Sequence, residues 1–303
     1  MTVLVPYPDG IAALSHLAGV QPLRYEPDGE LPGGADVAEV YITPFLGGRP
    51  EVLAQLPRLR LVQTLTAGYE QWLAALPPGV ALSNARGAHG GSTAEWVVAV
   101  LLALQRDIPR FLRAQDEARW DYHQTGTLAG TRVLVIGAGD VARQLNRRLA
   151  AFDAVVTLVG RRARDGVRGA DELPRLLAEH DATVLAVPHT ADTDGMVDAA
   201  FLARMPDGAV LVNAARGPVV RTDALLAELT TGRLRAALDV TDPEPLPAEH
   251  PLWQAPGLLL TPHVAGSTAG SRERAFAVVA DQLRVFVDGG EPPNLVRPHT
   301  APH

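Results

Sequence analysis

The sequence predicts an α/β chain of two domains, each built on a parallel, doubly wound sheet. Three observations carry this. Short apolar, β-branched runs alternate with helical stretches along the chain, and such alternation implies parallel strands joined by crossover helices. Thr131–Leu145, TRVLVIGAGDVARQL, passes from four apolar β-formers through a tight glycine turn into a helical pattern. From there a strand–helix rhythm supplies six strands, enough for a complete sheet, so the strands before residue 94 need a sheet of their own.

In order, Val3–Val5 reads as a first strand, Ile11–Leu17 as a helix, and Leu23–Glu26 and Val37–Ile42 as strands. Val52–Leu56 reads as a short helix, followed by strands at Leu59–Leu65 and Val80–Asn84. Ser92 with Glu95 has the spacing of a capping box opening a long apolar helix, Trp96 to Gln105. A helical pattern continues over Arg106–Trp120, with Pro109 expected to kink or restart it. The later strands are Val133–Ile136, Val155–Val159, Ala182–Val187, Ala209–Asn213, Leu234–Asp239 and Leu258–Thr261, with helices near 140–151, 171–179, 198–204 and 222–230. A last helix, Ser267 to Asp288, is expected to return the chain to the first domain. The expected division is therefore 1–93 plus 268–303 for one domain and 94–267 for the other.

Composition excludes several kinds of chemistry. Apolar residues are 47% of the 303, enough for sizeable cores, and the net charge of −7 does not suit nucleic acid or an anionic membrane. There is no cysteine, so disulfides, thiolate nucleophiles and cysteine-held metals are ruled out, and no metal is expected. All 27 basic residues are arginine, which removes Schiff-base chemistry. The start MTVLVPYPDG lacks a basic segment ahead of an apolar one, and the longest apolar run, Trp96–Leu104, is too short to span a bilayer. A cytoplasmic chain is expected.

The turn Gly137-Ala-Gly139-Asp140-Val141-Ala142 is a G-x-G-x-x-A pattern between strand and helix. Gly137 suits a sharp turn, Gly139 lets a diphosphate approach the main chain, and Ala142 lets helix and strand pack closely. That predicts a dinucleotide site of the Rossmann type. In such domains the next strand ordinarily ends in an acidic residue that binds the adenosine ribose. Here it ends in Gly160-Arg161-Arg162-Ala163-Arg164. The acid is missing, and Arg161, Arg162 and Arg164 stand where a 2′-phosphate would lie. NADP(H) is therefore the expected cofactor, with NAD(H) second.

Three more stretches put polar residues just past strand ends: Asn213-Ala-Ala-Arg216-Gly, Leu238-Asp239-Val-Thr-Asp-Pro-Glu244-Pro and Thr261-Pro-His263-Val-Ala-Gly266. With these motifs the chain resembles the D-isomer-specific 2-hydroxyacid dehydrogenases, from Thr64-Leu-Thr-Ala-Gly68 through the Asn294-Leu-Val tail. The GRRAR segment resembles that of the family's NADPH-using glyoxylate/hydroxypyruvate reductases. The resemblance implies a Rossmann cofactor domain inserted into a discontinuous flavodoxin-like substrate domain, a cleft between the two, and a homodimer. It gives Arg216 the substrate's carboxylate and carbonyl oxygen, and His263 the proton. Glu244 would hydrogen-bond His263 and favour its protonated form. Main-chain N–H groups at Ala67 and Gly68 would hold the substrate carboxylate. Asp140 and Val141 would lie at the diphosphate, and Val187 and Pro188 on the adenosine side. Ala214, Ala215 and Asp239 would line the nicotinamide, with Asp239 accepting from its carboxamide, and Gly266 would help close over the ring.

Taken singly, Arg216 would be read as a surface arginine, Glu244 as a solvated acid and His263 as a helix cap; it is their joint spacing that favours catalysis. His16, His89, His123, His180, His189, His250, His299 and His303 are given no catalytic role. Trp120, Trp253 and Tyr69 are read as packing residues rather than substrate-reading ones, with a role in shaping the pocket as the alternative for Tyr69, beside Gly68. Asp140 departs from the pattern by placing an acid beside the phosphates. The expected activity is reduction of a small 2-oxo acid such as glyoxylate or hydroxypyruvate. The alternatives are an NAD-linked phosphoglycerate- or D-lactate-type dehydrogenase, and a dinucleotide-sensing protein without turnover. Glu244 argues against a formate-type enzyme, which carries Gln there.

Overall fold

The structure, a computed structural model, describes residues 1–45 and 47–297. Leu46 and residues 298–303, which include His299, His303 and the end of the expected 268–303 segment, lie outside the described residues. The chain forms two compact units: Met1–His89 with the chain from Ala269 onward, and Gly90–Thr268.

The first unit opens with β1 (Thr2–Val5), α1 (Pro8–Leu14), β2 (Gln21–Arg24), β3 (Ala38–Ile42), β4 (Leu61–Gln63), α2 (Glu70–Ala74) and β5 (Ala81–Ser83). The second holds α3 (Gly90–Gln105), α4 (Ile108–Asp116), β6 (Arg132–Ile136), α5 (Asp140–Ala150), β7 (Val155–Gly160), β8 (Arg168–Gly169), α6 (Leu173–Ala178) and β9 (Ala182–Leu185). It continues through α7 (Ala199–Leu202), β10 (Val210–Asn213), α8 (Thr222–Thr230), β11 (Arg235–Leu238) and β12 (Leu258–Leu260). The last helix, α9 (Ser271–Val287), belongs to the first unit.

Both sheets are parallel throughout. The first has the order β2-β1-β3-β4-β5, the flavodoxin-like arrangement. The second has the order β12-β11-β10-β9-β6-β7-β8, the doubly wound dinucleotide-binding arrangement with one strand added at the far edge. The reason these strands are apolar runs rather than alternating ones lies in their burial. Along β6 and its neighbours, Leu134, Ile136, Leu185 and Leu211 enter one core, while Val133, Val135, Val184 and Val212 enter another on the opposite face. β1 and β3 divide likewise, with Val3, Val5, Val40 and Ile42 on one side and Leu4 and Tyr41 on the other. A sheet covered on both faces needs apolar side chains at every position. Each fully buried Val or Leu contributes about 1.5–3 kcal/mol.

The structure corrects several sequence expectations. The second sheet has seven strands, not six, because β8 is only two residues long and leaves no periodic signal. α3 begins at Gly90, which places Ser92 inside the first turn, so Ser92–Glu95 is not a capping box. The start is set by close packing: a Cβ at Gly90 would overlap the Asp140 carboxylate at the head of α5. The predicted Val52–Leu56 helix is a 3-10 turn, Pro50–Gln55. Asp107, in the left-handed region, breaks the chain ahead of Pro109, and the restarted helix stops at Asp116, well before Trp120. Trp120 is 94% exposed and packs nothing; Trp253 is half exposed, with its indole N–H donated to Pro247 O. Tyr69 does pack against the core of the first unit. α9 starts at Ser271, after the left-handed Gly270, rather than at Ser267.

Candidate active site

The parallel order of the second sheet brings its functional residues to one edge. β6 and β9 are neighbours from which the chain winds in opposite directions, and ligands bind at the carboxyl ends beside such a switch. Gly137 lies there, with φ of 117°, and a Cβ on it would overlap Ala186 O at the end of β9. No other residue fits both constraints. Gly139 is different: it precedes α5 in extended conformation, and a Cβ there would meet nothing within 4 Å. Protein packing does not account for this glycine, whereas a ligand seated on the first turn of α5 does. Ala142 is buried in the core beneath, and Val141 is half-buried on the same turn. These residues fit a dinucleotide diphosphate.

Asp140 also starts α5. Its Oδ1 is 3.5 Å from Arg143, while its buried Oδ2 has no hydrogen-bond partner among the described residues. The carboxylate lies against Gly90 at the amino end of α3, where a helix favours negative charge. The acid that looked misplaced in the sequence therefore stabilises the junction of two helix amino ends. With a dinucleotide on the glycine turn, its charge would still sit beside the diphosphate. Asp140→Asn should then bind the nicotinamide coenzyme more tightly, by about three- to ten-fold, or up to ~1.4 kcal/mol. Fluorescence titration of the coenzyme measures this; unchanged affinity would mean that α3 already neutralises the charge.

At the end of β7, Arg161, Arg162 and Arg164 are exposed in a tight turn closed by paired main-chain bonds between Arg164 and Val167. Arg164 folds back over Gly160, whose missing side chain makes room for it, and its guanidinium lies 3.4 Å from Ala138 O in the glycine turn. Of the three arginines, the structure brings Arg164 to the glycine turn. Val187 and Pro188 follow β9, with Val187 packed against the core and Pro188 O accepting from Thr193 Oγ1 at 2.7 Å.

The ends of β10, β11 and β12 are linked in series. Asn213 holds its own loop: its amide donates to Arg216 O at 3.0 Å, and its Oδ1 accepts from the Ala215 N–H at 3.0 Å. Ala215 is buried and Ala214 partly so. Gly217 lets this loop press against Thr241, whose carbonyl oxygen a Cβ would overlap, and so fixes Arg216 next to the loop after β11. That loop carries Glu244, and Thr222 Oγ1 and Thr241 Oγ1 secure it at Asp242 O and Pro243 O, at 3.0 and 2.8 Å.

Asp239 is 3% exposed and organises the next loop. Its Oδ1 accepts from Thr261 Oγ1 and the Val264 N–H, its Oδ2 from the Ala265 N–H, at 2.7, 2.8 and 2.9 Å. Its carbonyl oxygen accepts the His263 N–H at 2.7 Å. Three of the carboxylate's about four lone-pair positions are thus taken, leaving one for a ligand donor. The family resemblance implied nicotinamide contact for Asp239 and gave no sign of this positioning role. Gly266 lies just beyond, in a turn closed by Ser267 N–H to Val264 O.

His263 has φ of 55°, a left-handed backbone that a non-glycine residue keeps only when its surroundings enforce it. The imidazole Nδ1 lies 2.6 Å from Glu244 Oε1, and both side chains are close to half exposed. Nδ1–H donates to the carboxylate, so Nε2 is the nitrogen available to a substrate, and it has no partner among the described residues. Ala67 and Gly68 belong to the other unit, in the loop after β4, where Ala67 is exposed. No group of three or more potential metal-ligating side chains occurs among the described residues, and no helix among them is long and apolar enough to cross a membrane.

A seven-stranded parallel sheet of this order, with a glycine turn at its switch point, defines a dinucleotide-binding domain. Residues 98–265 match the D-isomer specific 2-hydroxyacid dehydrogenase NAD binding domain, and the chain belongs to that family. It is 31% identical to a glyoxylate reductase of Thermofilum pendens over 81% of this chain and 77% of that one. It is 35% identical to a D-3-phosphoglycerate dehydrogenase of Mycobacterium tuberculosis over 81% of its length, but spans only 48% of that relative. A D-isomer specific 2-hydroxyacid dehydrogenase from Xanthobacter autotrophicus Py2, solved with NADPH and MES, superposes with a TM-score of 0.85 at 32% identity, covering 98% of this chain and 99% of the other.

Proposed function

We propose that this protein reduces a small 2-oxo acid, such as glyoxylate or hydroxypyruvate, to the 2-hydroxy acid with NADPH. The observation that carries the reading is the His263–Glu244 pair, held with Nδ1 engaged, and Nε2 without a partner among the described residues, at the same sheet edge as the glycine turn. Arg216 binds the substrate carboxylate and polarises the carbonyl oxygen through its fork of N–H groups. The coenzyme, when bound, supplies a hydride to the substrate's carbonyl carbon. The alkoxide oxygen formed there takes its proton from His263 Nε2–H, and Glu244, bonded to Nδ1–H, holds the ring in place. In the reverse direction Nε2 accepts the hydroxyl proton. The N–H groups of Ala67 and Gly68 hold the carboxylate, and Asp239 offers its remaining lone pair to the nicotinamide carboxamide.

The preference for NADPH rests on the three arginines after β7 and the missing ribose-binding acid, and the NADPH-bound relative is consistent with it. Arg161→Asp should lower the ratio of kcat/KM for NADPH over NADH by about ten- to hundred-fold, the worth of a charged hydrogen bond to phosphate. An unchanged ratio, or a wild type that prefers NADH, would support the second reading. That reading is an NAD-linked phosphoglycerate-type dehydrogenase, favoured by the mycobacterial relative. Spectrophotometric screening of NADPH oxidation against a panel of 2-oxo acids tests the proposal directly. Tight NADPH binding without turnover of any of them would favour a sensor. A homodimer is proposed as well, since Ile108, Leu112, Trp120 and Tyr122 expose apolar surface along α4 and the segment after it.

A further inference from the structure

The loop after β4 sorts its main-chain groups by type. Its carbonyl oxygens are taken one after another. Gln63 Nε2 donates to Thr64 O, His89 Nε2 bonds Leu65 O, and Thr64 Oγ1 and the Ala85 N–H donate to Thr66 O, at 2.7 to 2.9 Å. Asn84 Nδ2 donates to Ala67 O at 3.1 Å, and Thr66 Oγ1 to Gly68 O at 2.9 Å. In contrast, the N–H groups of Thr66, Ala67 and Gly68 have no acceptor among the described residues. A carboxylate is attracted by such N–H groups and repelled by carbonyl oxygens. A loop with its carbonyls tied down and three successive N–H groups left over is an anion receptor.

The two carbonyls next to those amides, at Ala67 and Gly68, each depend on a single donor among the described residues. Asn84 is itself fixed. Its Oδ1 accepts the Arg86 N–H at 3.1 Å, and buried Asn294 clamps the backbone there by donating to Asn84 O and Arg86 O at 3.1 and 2.9 Å. Asn294 is held in turn by Gln282 of α9, whose Oε1 accepts the Asn294 N–H at 2.8 Å. The spacing of Asn84, Asn294 and Thr66 in the sequence gives no hint of this convergence, because the chain returns after almost its whole length.

We propose that Thr66 and Asn84 are positioning residues for the substrate's carboxylate. They turn the Gly68 and Ala67 carbonyls away and so leave the three amides to the anion. This rests on the reading of the protein as a 2-oxo acid reductase. The test is steady-state kinetics at saturating NADPH with glyoxylate varied, together with oxamate binding to the NADPH complex, on wild type, Thr66→Val, Thr66→Ser and Asn84→Ala. Thr66→Val and Asn84→Ala should raise the KM for glyoxylate and weaken oxamate about ten-fold, equivalent to ~1.4 kcal/mol, with the KM for NADPH unchanged. Thr66→Ser, which keeps the hydroxyl, should behave as wild type. Unchanged glyoxylate KM and oxamate affinity in Thr66→Val would overturn the proposal, as would losses that follow only a lowered melting temperature. A wild type that neither turns over any 2-oxo acid nor binds oxamate would instead remove the functional reading, and this role with it.

Discussion

Replacing His263 with alanine should lower kcat for 2-oxo acid reduction by about 10²–10⁴-fold, the range that a positioned general acid contributes. Coenzyme binding should survive, because among the described residues the imidazole bonds Glu244 and not the glycine turn. The effect is expected to be large because the carboxylate bonded to the ring cannot take its place as the acid. Glu244 is bonded to the histidine and lies in a separate loop fixed by Thr222 and Thr241. Removing the ring leaves that carboxylate without its partner at 2.6 Å, and a carboxylate is a poor acid near neutral pH. Single-turnover measurement with preformed NADPH complex reads the chemical step directly. A near-normal rate would put the proton donor elsewhere.

Arg216→Ala should be comparably severe but differ in kind. The guanidinium is proposed to hold the substrate in the ground state and to stabilise oxygen charge as hydride arrives, so KM should rise and kcat fall together. Loss of one preorganised donor to such an oxygen costs about 10²–10³ in kcat, or ~2.7–4 kcal/mol. Arg216→Lys should recover little, since an ammonium cannot form two parallel bonds to a carboxylate. Measuring both constants for glyoxylate across the three proteins separates the contributions. If both stayed at wild-type values in Arg216→Ala, the substrate would bind elsewhere.

What could be read from the sequence was whatever is local or periodic. The glycine turn, the apolar strands and the three strand-end motifs each lie within a few residues, and a parallel sheet then places strand ends on one edge without further information. Glu244 and His263 meet at 2.6 Å because β11 and β12 are adjacent and parallel. What escaped reading depends on contacts distant in sequence. Ser92 has the letters of a cap, but packing of Gly90 against Asp140 moved the helix start. The orientation of Asp140, the fold-back of Arg164 onto Ala138 and the hold of Asn294 on Asn84 are set by neighbours that no spacing rule brings together. Trp120 looked like core because tryptophan usually packs; nothing in a single chain told that it would stand in water.

Asp239 has a consequence for how the protein can move. It ties the peptide groups of His263, Val264 and Ala265 to the end of β11 as firmly as a further rung of the sheet would, while Thr261 N–H bonds Leu238 O at 2.9 Å. The loop bearing the histidine is therefore a rigid ledge rather than a lid. In the proposed reaction, motion that admits or releases substrate would have to come from other parts of the chain, and the imidazole would stay in place through each cycle instead of being carried in with the ligand.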